Sequence, residues 1–332
     1  MSTAARLVLV TGGAGFIGRH LVRQLVERGE RVRVLDLDPV DEPGIESMVG
    51  SVLDAEKVSE AMRGAERVYH AAANPNLWAR DKSQFYEVNT RGTEIVLAAA
   101  WRAGVARFVY TSTESILKGV ARRRAAGPTD ETATPRLADM PGPYCRSKFL
   151  AERLALDAAA RGMPVVVVNP TLPMGPGDRR LTPPSRMLLG FLRGEMPAYL
   201  DSAFNIVDVR DAALGHILAA EHGRVGERYI LGGENLRLSE VLAHLQRISG
   251  RRMPHLRVPP WLALASGAIS ELISDYVTRR PPKAPLTGVR LALQPMLFDN
   301  AKAMRELGFK PRPARESLVD AVAWFESEGL LP

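Results

Sequence analysis

The chain has 332 residues, enough for one large α/β domain with a smaller appendage, and 46% of them are apolar, an ordinary share for a globular protein. No apolar run approaches the ~18 residues that cross a bilayer, no Cys/His cluster has the spacing of a metal site, and the single cysteine, Cys145, excludes a disulfide framework and suits a reducing cytoplasm. The net charge of +7 fits anionic small molecules or lipid, and its clusters ARRRAAG (121–127) and TRRPPK (278–283) lack interleaved aromatics, which argues against a nucleic-acid surface.

RLVLVTG (6–12) is a continuous apolar run, as in a strand buried on both faces, so the N-terminus reads as a first strand and not a signal peptide. FIGRHLVRQLVERG (16–29) sets Ile17, Leu21 and Leu25 with Val22 and Val26 on one helical stripe. RVRVLDLD (31–38) is the next strand, AEKVSEAMRG (55–64) a helix and RVYHAAA (67–73) a strand. YEVNTRGTEIVLAAAWRAG (86–104) is a long helix, RFVYTST (107–113) a strand, CRSKFLAERLALDAAARG (145–162) a helix and PVVVVNPT (164–171) a strand. This alternation predicts right-handed βαβ units, hence a parallel sheet covered by helices on both faces. From 172 the pattern changes: LPMGPGDRRLTPPSR (172–186) is loop-like, and helices follow with one short strand, ERYILGG (227–233). The predicted division is 1–171 for the sheet domain and 172–330 for a smaller, mostly helical substrate lobe, with about 203–232 returning to the sheet.

The turn between the first strand and first helix, VTGGAGFIG (10–18), spaces Gly12, Gly15 and Gly18 as TGxxGxxG. Glycines there allow a tight turn, close approach of backbone to a pyrophosphate, and close helix packing, while the first helical amides, Phe16 and Ile17, face the phosphates. The predicted fold is therefore a Rossmann-type, doubly wound α/β sheet that binds a dinucleotide. Asp36 ends the second strand, where an acid accepts hydrogen bonds from adenosine ribose hydroxyls and repels a 2′-phosphate. Leu37 and Asp38 supply no arginine in its place, so NAD is expected over NADP.

PYCRSK (143–148) carries Tyr144 and Lys148 at i and i+4, on one helical face. A phenol has an ordinary pKa of ~10, and a nearby ammonium lowers it towards the range of a useful base. YTSTES (110–115), EVNTRGT (87–93) and YCRSK together with the glycine loop resemble the extended branch of the short-chain dehydrogenase/reductase superfamily, over nearly the whole chain to FDNAKAMRELGFKPRP (298–313). The resemblance implies Tyr144 as general acid/base, Lys148 on the nicotinamide ribose, and Thr113 holding the reacting oxygen, with neighbouring Ser112 as the alternative register. It implies a cofactor site that also draws on Ala71, Ala72 and Ala73 at a strand end, on Asn89, and on Pro170 and Thr171. The family's usual acidic adenine contact is replaced by Ser51 and Val52. It also implies a homodimer joined through helices 85–104 and 144–162.

For the substrate, the set at the end of RFVYTST reads Thr113, Glu114, Ser115, which lacks one acid of the Thr-Asp-Glu set of nucleotide-sugar dehydratases. Phe204 stands where nucleotide-sugar epimerases place a diphosphate-binding arginine, and the second such arginine motif is missing, although Arg290 is nearby. VNPTLPMGPGD (168–178) resembles dihydroflavonol 4-reductases and 3β-hydroxysteroid dehydrogenases. NLWARD, YCRSKFLAE and GERYILGGENL resemble the bacterial hopanoid-associated sugar epimerases. The expected function is NAD(P)-dependent hydride transfer at a secondary alcohol or ketone of a rather apolar substrate, touched by Thr113, Glu114, Asn169 and Phe204. A nucleotide-sugar 4-epimerase and a non-catalytic NAD-sensing protein are the alternatives. PPWLALASGAISELISDYV (259–277), followed by Arg279, Arg280 and Lys283, reads most simply as a helix packed on the core; a pocket wall or a membrane contact is the other reading.

Overall fold

The computed structural model describes residues 6–118 and 127–331, so the basic run 121–127 lies, but for Gly127, outside the described residues. The strand β1 (Leu7–Thr11) is buried along its whole length and leads through the glycine turn into α1 (Phe16–Glu27). Then come β2 (Arg31–Asp36), β3 (Ile45–Val49), α2 (Ala55–Met62) and β4 (Arg67–His70). The short α3 (Ser83–Phe85) continues through one π-helical turn (Tyr86–Arg91) into α4 (Gly92–Ala103). After β5 (Arg107–Thr111) comes α5 (Pro143–Ala160), then β6 (Val165–Pro170).

The remaining elements are β7 (Leu172–Met174), α6 (Pro183–Leu192), β8 (Ala198–Tyr199), β9 (Ala203–Asp208), α7 (Val209–His222), β10 (Arg228–Leu231), β11 (Glu234–Arg237) and α8 (Leu238–Ser249). They end with β12 (Leu256–Arg257), α9 (Pro260–Ile273), α10 (Leu286–Ala292), α11 (Ala301–Leu307) and α12 (Ala314–Ser327).

Seven parallel strands form the main sheet in the order β10-β6-β5-β4-β1-β2-β3. Strand alternation divides the core between its faces. Val8 and Val10 pack with Leu21 and Leu25 of α1 and Ile217 of α7, whereas Leu9 packs with Val58 of α2, Val96 of α4 and Ala155 of α5. The C-terminal ends of β1, β4 and β5 consequently open on one edge, the crevice where such sheets hold ligands.

Several expectations need correction. Ile45–Val49 is a strand that periodicity hides, because it is a short sheet edge with exposed Glu46 and Ser47. The catalytic-segment helix starts at Pro143, not Cys145, because proline suits the first helical position; Tyr144 therefore sits in its first turn. The segment 172–186 is not all loop, since it holds β7 and the start of α6. ERYILGG supplies β10, the outer strand of the main sheet. The second region is mainly helical, as expected, and also holds two small sheets, β11-β9-β7 and β12-β8, with α6, α8 and α12 packed around Leu188, Phe191, Leu242 and Phe325.

Candidate active site

Gly12 adopts φ +77°, and a Cβ there would lie 2.5 Å from the Ala72 backbone nitrogen. A Cβ at Gly18 would lie 2.0 Å from the Gly12 carbonyl oxygen, so only glycine lets α1 sit this close to the turn. No side chain caps α1 at Gly15, which leaves the Phe16 and Ile17 amides for an anion. Ala71 to Ala73 continue from β4 across the turn, with the Ala71 amide bonded to the Thr11 carbonyl (3.0 Å). Val52 packs against Gly92 and Ser51 caps its own turn at the Leu53 amide (3.1 Å), beyond the end of β3. These features fit a dinucleotide: a side-chain-free turn, uncapped helix amides and an acid at the far end.

That acid, Asp36, is buried and accepts from the Ala14 amide (2.9 Å). It also meets a residue that the sequence reading missed. The Arg180 guanidinium reaches Asp36 Oδ1 (3.5 Å) and pairs with Asp38. The residues next to Asp36 in sequence carry no sign of it, because 144 positions separate the partners. Arg180 lies in the segment joining β7 to α6, which is pinned at one end by His20 donating to the Pro176 carbonyl (2.9 Å). At its other end Asp178 Oδ2 accepts from the Thr182 amide and hydroxyl (2.7 and 2.6 Å).

The chemistry-bearing side chains meet at the mouths of β5 and α5. Tyr144 is half-buried and its phenol stands close to the Thr113 hydroxyl. The Thr113 hydroxyl also donates to Glu114 Oε2 (2.9 Å) and lies 3.1 Å from Ser115 Oγ. Ser112 Oγ is buried without a partner, whereas the Thr113 hydroxyl belongs to this cluster. Ile116, Met140 and Cys145 form the adjoining wall, with Phe149 and Leu291 against them. Cys145 is buried, its Sγ 3.7 Å from Ser115 Oγ and its thiol pushed up to about 12 by burial, which makes it packing and not a nucleophile.

The electrostatics differ from the expectation. Tyr144 is raised above its ordinary value, by burial first and by the Glu114 carboxylate next, and the Thr113 hydrogen bond offsets only part of this. Lys148 does not counter it, because its Nζ donates to the Thr111 carbonyl (2.7 Å) and lies 4.6 Å from the Tyr110 ring centre. Burial brings Lys148 itself down to about 7 against the pull of Glu152. Burial also brings Glu114 up to about 7.

Other expected residues are placed as supports. Asn89, on the π-helical turn, accepts from the Asn74 amide (2.7 Å) and donates to Ser147 Oγ (2.9 Å), which ties the segment after β4 to α5. The asparagine of β6, Asn169, points away from Tyr144's hydroxyl cluster, donating to Glu152 (2.8 Å) and the Thr113 carbonyl (3.1 Å). Pro170 ends β6, and the Thr171 hydroxyl beyond it turns to Asn205 of β9 (2.8 Å). Phe204 packs with Leu117, Ile230, Met296 and Phe298, a hydrophobic seat beside the Thr113–Leu117 turn. His70 is enclosed by the Thr11 and Thr93 hydroxyls (2.7 and 3.0 Å) and held at about 3 by burial, a packed strand histidine.

With this geometry in view, the chain belongs to the NAD dependent epimerase/dehydratase family, whose model matches residues 8–232. It is an NAD(P)-dependent enzyme of the extended short-chain dehydrogenase/reductase type. Among its relatives is a protein of Synechocystis sp. provisionally named dihydroflavonol 4-reductase, 39% identical over 96% of this chain and 94% of the relative. The sterol demethylase protein B of Methylococcus capsulatus is 33% identical over 97% of this chain and 99% of its own. The crystal structure of gox2253 superposes with a TM-score of 0.86 at 34% identity, covering 98% of this chain and 100% of that one.

Proposed function

We propose that this enzyme reduces a ketone, or oxidises the matching secondary alcohol, on an apolar polycyclic substrate of sterol or flavonol type. The observation that carries the reading is the Tyr144–Thr113–Glu114 hydroxyl cluster set against the Ile116, Met140 and Cys145 wall. The apolar lining of that wall supports the reading, and the relatives named for sterol and flavonol chemistry point the same way. The dinucleotide, when bound along Gly12–Gly18 and Asp36, supplies or accepts the hydride. Tyr144 moves the proton of the reacting oxygen and Thr113 holds that oxygen in place. A phenol kept neutral by burial and by Glu114 is the form that protonates a developing alkoxide, which favours the reducing direction near neutral pH. Lys148 holds the nicotinamide ribose from the next turn of α5. The protein works as a homodimer through the α4–α5 face, where Tyr86 and Trp101 are half exposed.

The test is turnover of NADH or NADPH, followed at the reduced-nicotinamide absorbance band, with 3-ketosteroids, dihydroflavonols and UDP-sugars. Net oxidation with the polycyclic ketones is expected. Interconversion of UDP-sugars with no net nicotinamide change would replace this reading with epimerisation.

A further inference from the structure

Helix α9 reverses the usual arrangement of a surface helix. Its buried positions are the small residues Ala263 and Gly267, followed by Ser274 in the next turn. A Cβ at Gly267 would stand 3.0 Å from Val289 of α10, so the small side is the one pressed inward. The large apolar side chains point outward: Trp261 is 69% exposed, Ile269 59%, Leu272 60%, Tyr276 78% and Val277 74%. Single exposed apolar residues are ordinary, but a contiguous field of them marks a surface that meets something apolar.

Charge is sorted in the same sense. The acids of this hairpin turn inward: Glu271 and Asp275 accept from Lys82 (3.3 and 2.7 Å), and Asp275 also accepts from the Trp78 indole (2.7 Å). The cations Arg279, Arg280 and Lys283 are all exposed at the rim of the field. Arg279 closes the helix with φ +53°, a left-handed position usually given to glycine, so a charge is kept where backbone preference alone would not put one. An anionic lipid surface matches both the apolar field and its cationic rim.

The face also stands next to the reaction centre. Beneath α9, α10 carries Leu291 against Tyr144's wall, Arg290 donates to the Pro141 carbonyl (3.2 Å), and Thr287 abuts Gly142, two residues before Tyr144.

We propose that α9 and the following turn, 260–283, form a membrane-docking face that seats the enzyme on an anionic bilayer with its substrate mouth towards the lipid. The docking stands on the exposed face alone; only the route of the substrate rests on the apolar-substrate reading, so vesicle binding and turnover are scored separately.

The experiment is co-sedimentation of the full chain with vesicles of phosphatidylglycerol and phosphatidylcholine, compared with phosphatidylcholine alone, at low and high salt. Binding to the anionic vesicles, loosened by salt, is expected. The double change Ile269→Glu with Leu272→Glu should abolish it. Arg279→Gln, Arg280→Gln and Lys283→Gln should each weaken it about fivefold. Circular dichroism checks that these exposed changes leave the fold intact. Absence of sedimentation at low salt, or sedimentation unchanged by the double glutamate variant, overturns the proposal. So does a drop in oligomeric size in that variant, which would assign the face to a second copy of the chain.

Discussion

Tyr144 presents a neutral phenol to a neighbouring hydroxyl and carboxyl, and its value lies in the single oxygen that phenylalanine lacks. Tyr144→Phe keeps the ring and its edge contact with Phe85. Turnover should fall by about 10² to 10⁴, the usual share of a positioned acid/base, while dinucleotide binding followed by fluorescence stays within twofold. Retained turnover would move the proton transfer elsewhere. At the other end of the cofactor groove, Arg180 offers a guanidinium beside Asp36. A charge-assisted contact to a 2′-phosphate is worth about 1.5–3 kcal/mol. Arg180→Gln should therefore weaken NADPH binding roughly tenfold or more and leave NADH unchanged or tighter, because Asp36 is freed for the ribose, measured by parallel titrations. Equal changes for both would remove Arg180 from cofactor choice.

Among the elements, the π-helical turn at 86–91 has a definite task. Its Asn89 is fully buried and bridges the segment after β4 to Ser147 in α5, one residue before Lys148. Asn89→Ala strands the Asn74 amide and removes the tie to Ser147, whose hydroxyl keeps its bond to the Tyr144 carbonyl, which should cost about 1–3 kcal/mol in a urea melt. Because the tie sets where α5 stands, kcat should fall more than the dinucleotide affinity; a loss of stability with unchanged kcat would make Asn89 purely structural. The glycine turn and the Tyr144–Lys148 pair were legible in the sequence because both are local patterns, fixed by spacing along one turn or one helix. Thr113 was legible only as one of two adjacent hydroxyls, because a run of hydroxyl residues carries no mark of which one faces the phenol. Arg180 was not legible, since its meaning depends on a distant segment folding back onto β2. Helix α9 misled for a related reason. Apolar content alone reads as core, and only the placement of Ala263 and Gly267 against α10 shows that its large side chains face out. The lysine effect on Tyr144 failed because i, i+4 spacing fixes a shared face but not where a long side chain ends, and Lys148 ends on the Thr111 carbonyl.

For the molecule as a whole, the site is a stability cost that depends on pH. Glu114 rises from an ordinary 4.5 to about 7 on folding, so between those values the folded protein holds a proton that the unfolded chain has released. Stability therefore falls as pH rises through that window. Lys148 drops from 10.5 to about 7, so between those values the unfolded chain holds the extra proton and stability rises with pH. The two together place the site's weakest point near neutrality. Melting temperatures of the wild type relative to Glu114→Gln should decline from pH 4.5 to 7, and relative to Lys148→Met should climb from pH 7 to 10. Flat differences would show that neither group titrates as its burial dictates.

The segment between β7 and α6 has one more consequence. It touches the adenosine end of the groove through Arg180, braces α1 through His20 and Pro176, and begins a helix of the second region at Thr182, with Leu181 forced to φ +49° on the way. A nucleotide that takes Asp36 for its ribose competes with the Arg180 guanidinium for that carboxylate, and Arg180 lies two residues before the N-cap of α6, Thr182. The enzyme should follow a compulsory order, dinucleotide first and substrate second, visible as competitive inhibition by the product dinucleotide against its counterpart and mixed inhibition against the substrate.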